Sequence, residues 1–429
     1  MAVGVLMFLF ALLLIAGLPV GAVLGSISIL PNLANPWFPA DAQYIIRSMI
    51  NGVNSFPILA VPMFILSGNI MARGKISEKL FDFFAYFVSD KTAGLPIAVI
   101  CTCLFYGAIS GSGPATTAAV GAMTIPILER AGYKKEFSTA LVAVAGGIGV
   151  IIPPSIPFIF YGQASGSSVS DLFKAGIIPG LLIGFALMVY SWIYCKKNGE
   201  DKEKLNEYRD SLKDMGFFSL VKDSFLALVC PVIVLGSIYS GIASPTEAAV
   251  ISVFYALILS VFVYKTLKFK DVWDVLVESV KTYSTILFII AAATAFSRVL
   301  IFLKVPEMMT EMITGSVSSK FVLLILINLL LLFVGMIMDT TPAILILTPI
   351  LLPIVQSYGM DAIHFGIMMV VNLAIGFVTP PLGVNLFVAS TITNIKMEEI
   401  IKSAIPFIIA FMVVLILITF IPRISLALL

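Results

Sequence analysis

The chain has 429 residues, of which 60% are hydrophobic and 12% charged, with a mean hydropathy of +1.08. That much apolar surface cannot be hidden in one water-soluble core, so the chain reads as an all-α polytopic membrane protein. A net charge of +2 offers no basic patch of the kind nucleic acid requires, and the four cysteines (Cys101, Cys103, Cys195, Cys230) lie in or beside apolar runs without a paired metal-ligand spacing.

About 20 apolar residues cross a bilayer as a helix. The first run, residues 3–30, begins without a basic leader or a small-residue cleavage site and reads as a retained span, not a signal peptide. Residues 48–72 form the next span, and roughly 76–90 an amphipathic connector. The apolar region 93–129 is split by the polar tip SGSGP at 110–114. The span 137–163 carries GGIGVIIPPSIP at 146–157, where Gly and a Pro pair must unwind the helix. A span at 173–195 follows. Residues 196–223 are the long polar stretch, with seven basic and seven acidic side chains. They read as a solvated cytoplasmic linker with an amphipathic helix rather than as a docking element. Spans at 224–240, 245–264 and 282–303 come next, then a connector at 304–318. The apolar region 321–357 is split by DTTP at 339–342, the span 367–393 carries AIGFVTPPLGVN at 374–385, and a last span covers 405–422.

The two split regions and the two broken spans are copies of one another. Gly107, Ile109, Pro114 and Ala115 recur as Gly335, Ile337, Pro342 and Ala343, an offset of 228 (335 minus 107). After a one-residue deletion, Gly149, Pro153 and Pro154 recur as Gly376, Pro380 and Pro381, an offset of 227. Nearly all the matches are Gly and Pro, so a set of backbone interruptions has been duplicated. Paired broken segments in two halves of a membrane protein point to a transporter's binding site.

Charge gives the orientation. Arg73, Lys75, Lys79 and Lys91 precede the first split region, and Arg130, Lys134 and Lys135 follow it. Basic residues on both flanks place both in the cytoplasm, which makes the region a re-entrant hairpin. Counting crossings from there puts the N-terminus inside and the C-terminus outside. The second hairpin then opens outward, with Asp361 and no Lys or Arg in the loop 358–366, although Lys304 and Lys320 before it run against that assignment. Residues 1–195 and 241–429 are therefore expected to be inverted repeats, joined by 196–240, whose single crossing flips the second copy.

Unwound carbonyls with Ser or Thr hydroxyls make hard oxygen ligands suited to Na⁺. One candidate cation site comprises Gly107, Ser110, Ser112, Gly149, Ile152 and Pro154. Its symmetry mate comprises Gly335, Asp339, Thr340, Gly376, Thr379 and Leu382. Intramembrane charge is costly unless paired or hydrated, so Arg298 near the end of its span is a candidate ligand for a substrate carboxylate, against snorkelling to the interface. Ser297, Asp339 and Asn372 complete the candidate substrate set. Glu247 in SPTEAA fits the first turn of a helix. His364 is the one histidine and falls in the predicted outer loop; GxSxG and Walker patterns are missing, so no enzyme activity is expected. A passive channel, the competing class, needs a continuous polar lining, whereas these charges are isolated.

The segments GAISGSGPATTAAVGAMTIP, GIASPTEAA, GMIMDTTPAILILTPILLP and GFVTPPLGVNLFV resemble the large membrane subunit of tripartite ATP-independent periplasmic (TRAP) transporters, within the elevator-type ion transporters. The resemblance spans essentially the whole chain. It implies Na⁺-driven uptake of an organic acid across a bacterial inner membrane by a moving transport domain held in a scaffold. It also implies two partners, a small four-helix membrane subunit and a soluble periplasmic substrate-binding protein. The chain looks most similar to the sialic acid (N-acetylneuraminate) branch, with Arg298 at the position of the arginine that engages the substrate carboxylate. C4-dicarboxylates and other sugar acids stay open.

Overall fold

The computed structural model describes residues 2–214 and 216–429. Every regular element in it is helical. Helices α1 (Ala2–Ile15) and α2 (Val20–Ala34) take the place of the single span expected at 3–30. Pro19 has no N–H to continue a helix, and Gly17 turns the chain at φ +81°. α3 (Ala42–Val53) and a 3-10 turn (Phe56–Leu59) lead into α4 (Ala60–Arg73), and α5 (Ile76–Val88) forms the connector. α6 (Gly94–Ser110) and α7 (Gly113–Arg130) meet at the first polar tip. α8 (Lys135–Gly146) decays through a 3-10 turn (Gly147–Val150) to Pro153–Pro154, and Ser155 restarts the chain as α9 (Ile156–Ser165) by accepting from Phe158 N–H at 3.3 Å. α10 (Val169–Asn198) is a long span.

α11 (Lys202–Asp214) lies in the linker, followed by α12 (Phe217–Tyr239) and α13 (Pro245–Leu257), which ends in a π-helical turn (Ile258–Val263). Ser244 and Glu247 make a reciprocal capping box at the start of α13, so Glu247 is structural, as read from the sequence. The span expected at 282–303 is the last part of one 34-residue helix, α14 (Phe269–Phe302). α15 (Val305–Ser316) is the second connector; α16 (Lys320–Ile337) and α17 (Thr340–Ser357) meet at the second tip. α18 (Ala362–Gly376) breaks at Pro380–Pro381 before α19 (Val384–Thr393), and α20 (Met397–Phe420) and α21 (Pro422–Leu426) close the chain. Backbone detail recurs between the halves. Lys75 and Lys304 both take left-handed φ just before a connector, and Gly166 and Asn394 do so just after a broken helix.

Among the described residues eight helices are long and apolar enough to cross a membrane, and the chain is a multi-pass membrane protein. α2 and α3 pack on α14, and α4 packs on α13. The broken helices sit in a second group, in which α8 packs on α7 and α20, α18 on α16, and α9 on α17. Two further sequence expectations are corrected here. His364 is not in a loop: it is buried in the first turn of α18, which Asp361 caps, with Nδ1 3.2 Å from Ser425 Oγ. The linker is not merely solvated. Leu205 and Leu212 are buried, Tyr208 sets its ring against Phe81 and donates to Asp82 Oδ1 at 3.3 Å, and Asp223 pairs with Lys79 at 3.5 Å. An amphipathic α11 thus lies on the α5 connector.

Candidate functional site

Both tips and both breaks converge on one cavity of about 140 Å³. Its lining includes Ser110, Ser112 and Ala115 from the first tip, Asp339 and Thr340 from the second, Val150 from the first break and Phe377 from the second. α4 contributes Asn69 and α14 contributes Thr282; Asn69 Nδ2 donates to Ser279 Oγ at 2.9 Å, which ties these two helices at the cavity wall.

The first tip is a knot of oxygens. Ser112 caps α7, its carbonyl accepts from Thr116 Oγ1 at 2.8 Å, and Thr116 Oγ1 lies 2.9 Å from Ser110 Oγ. The break presses against it: a Cβ on Gly149 would stand 2.5 Å from Thr116 Oγ1 and 3.0 Å from the Ser112 carbonyl, and one on Gly107 would stand 2.7 Å from Gly149 Cα. Gly111 adopts φ +61°, beside the Pro154 carbonyl, a conformation that suits glycine. Gly107, Ser110, Ser112, Gly149 and Pro154 are therefore together. Ile152 lies between Gly149 and Pro154 in the chain, with its side chain packed over Gly180 of α10.

At the second tip Asp339 caps α17 by accepting from Thr340 N–H at 2.6 Å, and both residues line the cavity. A Cβ on Gly376 would meet Gly335 C and O at 2.4 Å, and Leu382 N–H donates to the Met336 carbonyl at 3.2 Å. Gly335, Gly376 and Leu382 are thus brought together. The Thr379 hydroxyl donates to the Ile375 carbonyl at 2.8 Å, which leaves its oxygen lone pairs as acceptors.

Of the candidate substrate residues, Asp339 alone lines the cavity. Arg298 is exposed on α14 and lies 12 residues past the lining residue Ile286, about 18 Å along the helix. Ser297 is half-buried beside it. Asn372 is buried in α18, where it donates to Asn328 of α16, which also accepts from Thr419 at 3.4 Å.

Sequence reasoning missed Asn69, Thr282, Thr116, Thr117 and Asn385. The last two matter because Thr117 Oγ1 and Asn385 Oδ1 are buried with no hydrogen-bond partner. Thr117 faces Gly146, where a Cβ would stand 2.0 Å from its hydroxyl, and Asn385 Nδ2 donates to the Ala143 carbonyl at 3.0 Å, so both orphan oxygens lie beside the first break. The only signal in the sequence is position: Thr116 follows the tip serine Ser112 by one helical turn, and Asn385 follows the second Pro pair. Buried oxygens without partners carry a desolvation cost that a cation could relieve. Among the described residues no three His, Cys, Asp or Glu side chains gather as a soft-metal site would require, and all four cysteines are free.

This constellation of paired interruptions around one cavity, in a bundle of apolar helices, defines a membrane transporter permease and not an enzyme. The profile of the family described as "Tripartite ATP-independent periplasmic transporter, DctM component" matches residues 6–424, and the chain belongs to that family. It is 45% identical over 97% of its length to the "Isethionate TRAP transporter permease protein DctMQ" of Oleidesulfovibrio alaskensis, and spans 64% of that longer relative. It is 36% identical over 97% of its length to the "Sialic acid TRAP transporter large permease protein SiaM" of Vibrio cholerae, covering 96% of it. The sialic acid type is thus one of several similar relatives, and a more similar one carries another substrate in its name. In fold, the chain resembles the YdaH transporter of Alcanivorax borkumensis, with a TM-score of 0.63 at 14% identity, covering 96% of this chain and 97% of that one.

Proposed function

We propose that this chain is the large permease of a TRAP transporter that takes up an organic anion, driven by Na⁺, across a bacterial inner membrane. The observation that carries this reading is the convergence of both tips and both breaks on one cavity, together with the orphan oxygens of Thr117 and Asn385 beside the first break. Carbonyls freed at the breaks, with the hydroxyls of Ser110 and Thr116, would supply a hard, hydrated cation with oxygen ligands at little cost. Asp339 and Thr340 would do the same at the second site.

In this reading residues 1–195 and 241–429 are inverted repeats and 196–240 their link. The tips and breaks ride in a transport body that moves as an elevator against a frame of α2–α4 and α12–α14. The N-terminus faces the cytoplasm and the C-terminus the periplasm. A small four-helix membrane subunit and a soluble periplasmic substrate-binding protein complete the machine. The greater similarity to the isethionate permease favours a small sulfonate over sialic acid or a C4-dicarboxylate as the anion.

The test is uptake into proteoliposomes containing both partners, with radiolabelled isethionate, a C4-dicarboxylate and sialic acid in parallel. Uptake of one of them is expected to need inward Na⁺ and no ATP; equal uptake with K⁺ in place of Na⁺ would sink the coupling. The same assay decides Arg298. A guanidinium that binds the anion should lose about 30- to 1000-fold in apparent affinity on Arg298→Lys or Arg298→Ala, whereas an interfacial cation tolerates lysine. The exposed position of Arg298 favours the interfacial role, so near-normal uptake by the lysine variant is expected.

A further inference from the structure

One side chain from the linker joins the two turns that bracket the first helix pair, residues 89–93 before α6 and 131–134 after α7. Glu200 accepts the Ala93 N–H with both carboxylate oxygens, at 3.0 and 3.2 Å, and the Tyr133 hydroxyl donates to the same carboxylate. α6 cannot supply this acceptor itself. Its N-cap, Ala93, has a left-handed φ of +60° and no polar side chain, and its third residue is Pro96. In a capping box a Glu at that third position would accept the N-cap N–H. Glu200 takes the role from 107 residues away, and its charge suits the positive end of the α6 dipole.

The second helix pair has a matching tie without a helper. Tyr358, in the turn after α17, donates its hydroxyl to the Val317 carbonyl in the turn before α16, and Lys320 Nζ reaches the Gly359 carbonyl at 3.2 Å. In both pairs a tyrosine of the trailing turn fastens the leading turn; in the first pair the bond passes through Glu200.

We propose that Glu200 is a positioning residue for the first cation site: by clasping both ends of the α6–α7 pair to the end of α10, it holds the Ser110–Ser112–Thr116 tip against Gly149. The proposal rests on the cation reading above. The arms are 17 and 18 residues long, so a splay at the turns is carried along two helices to the tip about 25 Å away. The linker is then a working part of the transport body.

The experiment uses the full chain in nanodiscs for amide hydrogen exchange, and in proteoliposomes with its partners for uptake. Wild type, Glu200→Gln, Tyr133→Phe and the double variant are compared; Tyr133→Phe removes one oxygen and guards against misfolding of the Glu200 variant. Exchange in residues 89–97 and 131–135 is expected to speed up about tenfold in each single variant, as loss of a charge-assisted bond implies, with little further change in the double. The Na⁺ concentration for half-maximal uptake should rise several-fold in both, with the maximal rate much less affected, a split that a purely structural role would not produce. Unchanged exchange in those segments, or acceleration spread over the whole chain, overturns the clasp. An unmoved Na⁺ half-saturation in variants of a Na⁺-dependent wild type overturns the positioning role alone, whereas Na⁺-independent uptake by the wild type overturns it together with the cation reading.

Discussion

At the scale of the residue, the two breaks are places where backbone meets backbone. A methyl on Gly376 would fall 2.4 Å from the Gly335 carbonyl carbon and oxygen, atoms that cannot rotate aside. At Gly149 the nearest atom is the Thr116 hydroxyl at 2.5 Å, which can turn, although the Ser112 carbonyl at 3.0 Å cannot. Gly376→Ala should therefore cost about 1–3 kcal/mol, in the range for overpacked cores, and abolish uptake; Gly149→Ala should be milder. Gly236 in α12 has open space around it, so Gly236→Ala should be neutral or raise stability by up to about 1 kcal/mol. Thermal unfolding and uptake of the three variants check this order, and a Gly376→Ala protein that behaves like Gly236→Ala would show the contact is not tight. Gly149 and Gly376 were legible in the sequence because the duplicated segments share their interruptions. Thr117, Asn385 and Glu200 were not, because nothing local marks an oxygen as orphaned or a glutamate as capping a distant helix.

At the scale of the element, the connector α5 carries a misplaced charge. Burial against α11 pushes the Asp82 carboxyl from its ordinary 3.8 up to about 6, with Glu78 adding to the rise and the Tyr208 hydroxyl and Lys79 opposing it. Because the folded-state value lies above the unfolded one, stability from this group is full below pH 3.8 and is lost as pH rises through 6. At about 1.4 kcal/mol per pKa unit, the neutral-pH penalty is on the order of 2–3 kcal/mol. Asp82→Asn keeps an acceptor for Tyr208 and removes the charge. The stability gained by this variant over the wild type should be small near pH 4 and level off above pH 6; denaturation across that range measures it, and a pH-independent difference would contradict it. The sequence pattern gave the connector its helix and its amphipathic faces. It could not give the docking of α11 on it, since equal numbers of acids and bases describe a solvated helix and a docked one alike. The 34-residue α14 was cut short in the sequence reading for a related reason: its first three turns are polar enough to resemble a loop beside a membrane span.

For the whole molecule, the inverted-repeat reading makes opposite ends of the two helix pairs face opposite sides of the membrane. Lys135 and Gln356 are both exposed, near the trailing ends of the first and second pairs. In a background without Cys101, Cys103, Cys195 and Cys230, a membrane-impermeant thiol reagent should label Lys135→Cys from the cytoplasm and Gln356→Cys from the periplasm. Labelling of both from one side would end the inverted arrangement.

The pairing of α2 and α3 with α14, and of α4 with α13, also dictates how the chain must be made. Asn69 and its partner Ser279 are 210 residues apart, and Arg73 and Glu278, 2.6 Å from each other, are 205 apart. At a ribosome's pace of about 5–20 residues per second, roughly 10 to 40 seconds separate the emergence of the early helices from that of the helices they pack on. During that interval Gly21 and Gly52, whose flat faces are later filled by Phe288 and Thr294, have only lipid or an insertase to cover them. The newborn N-terminal helices are thus clients awaiting a partner from the other end of their own message, and a slowed or truncated translation would strand them in the bilayer with their packing faces open.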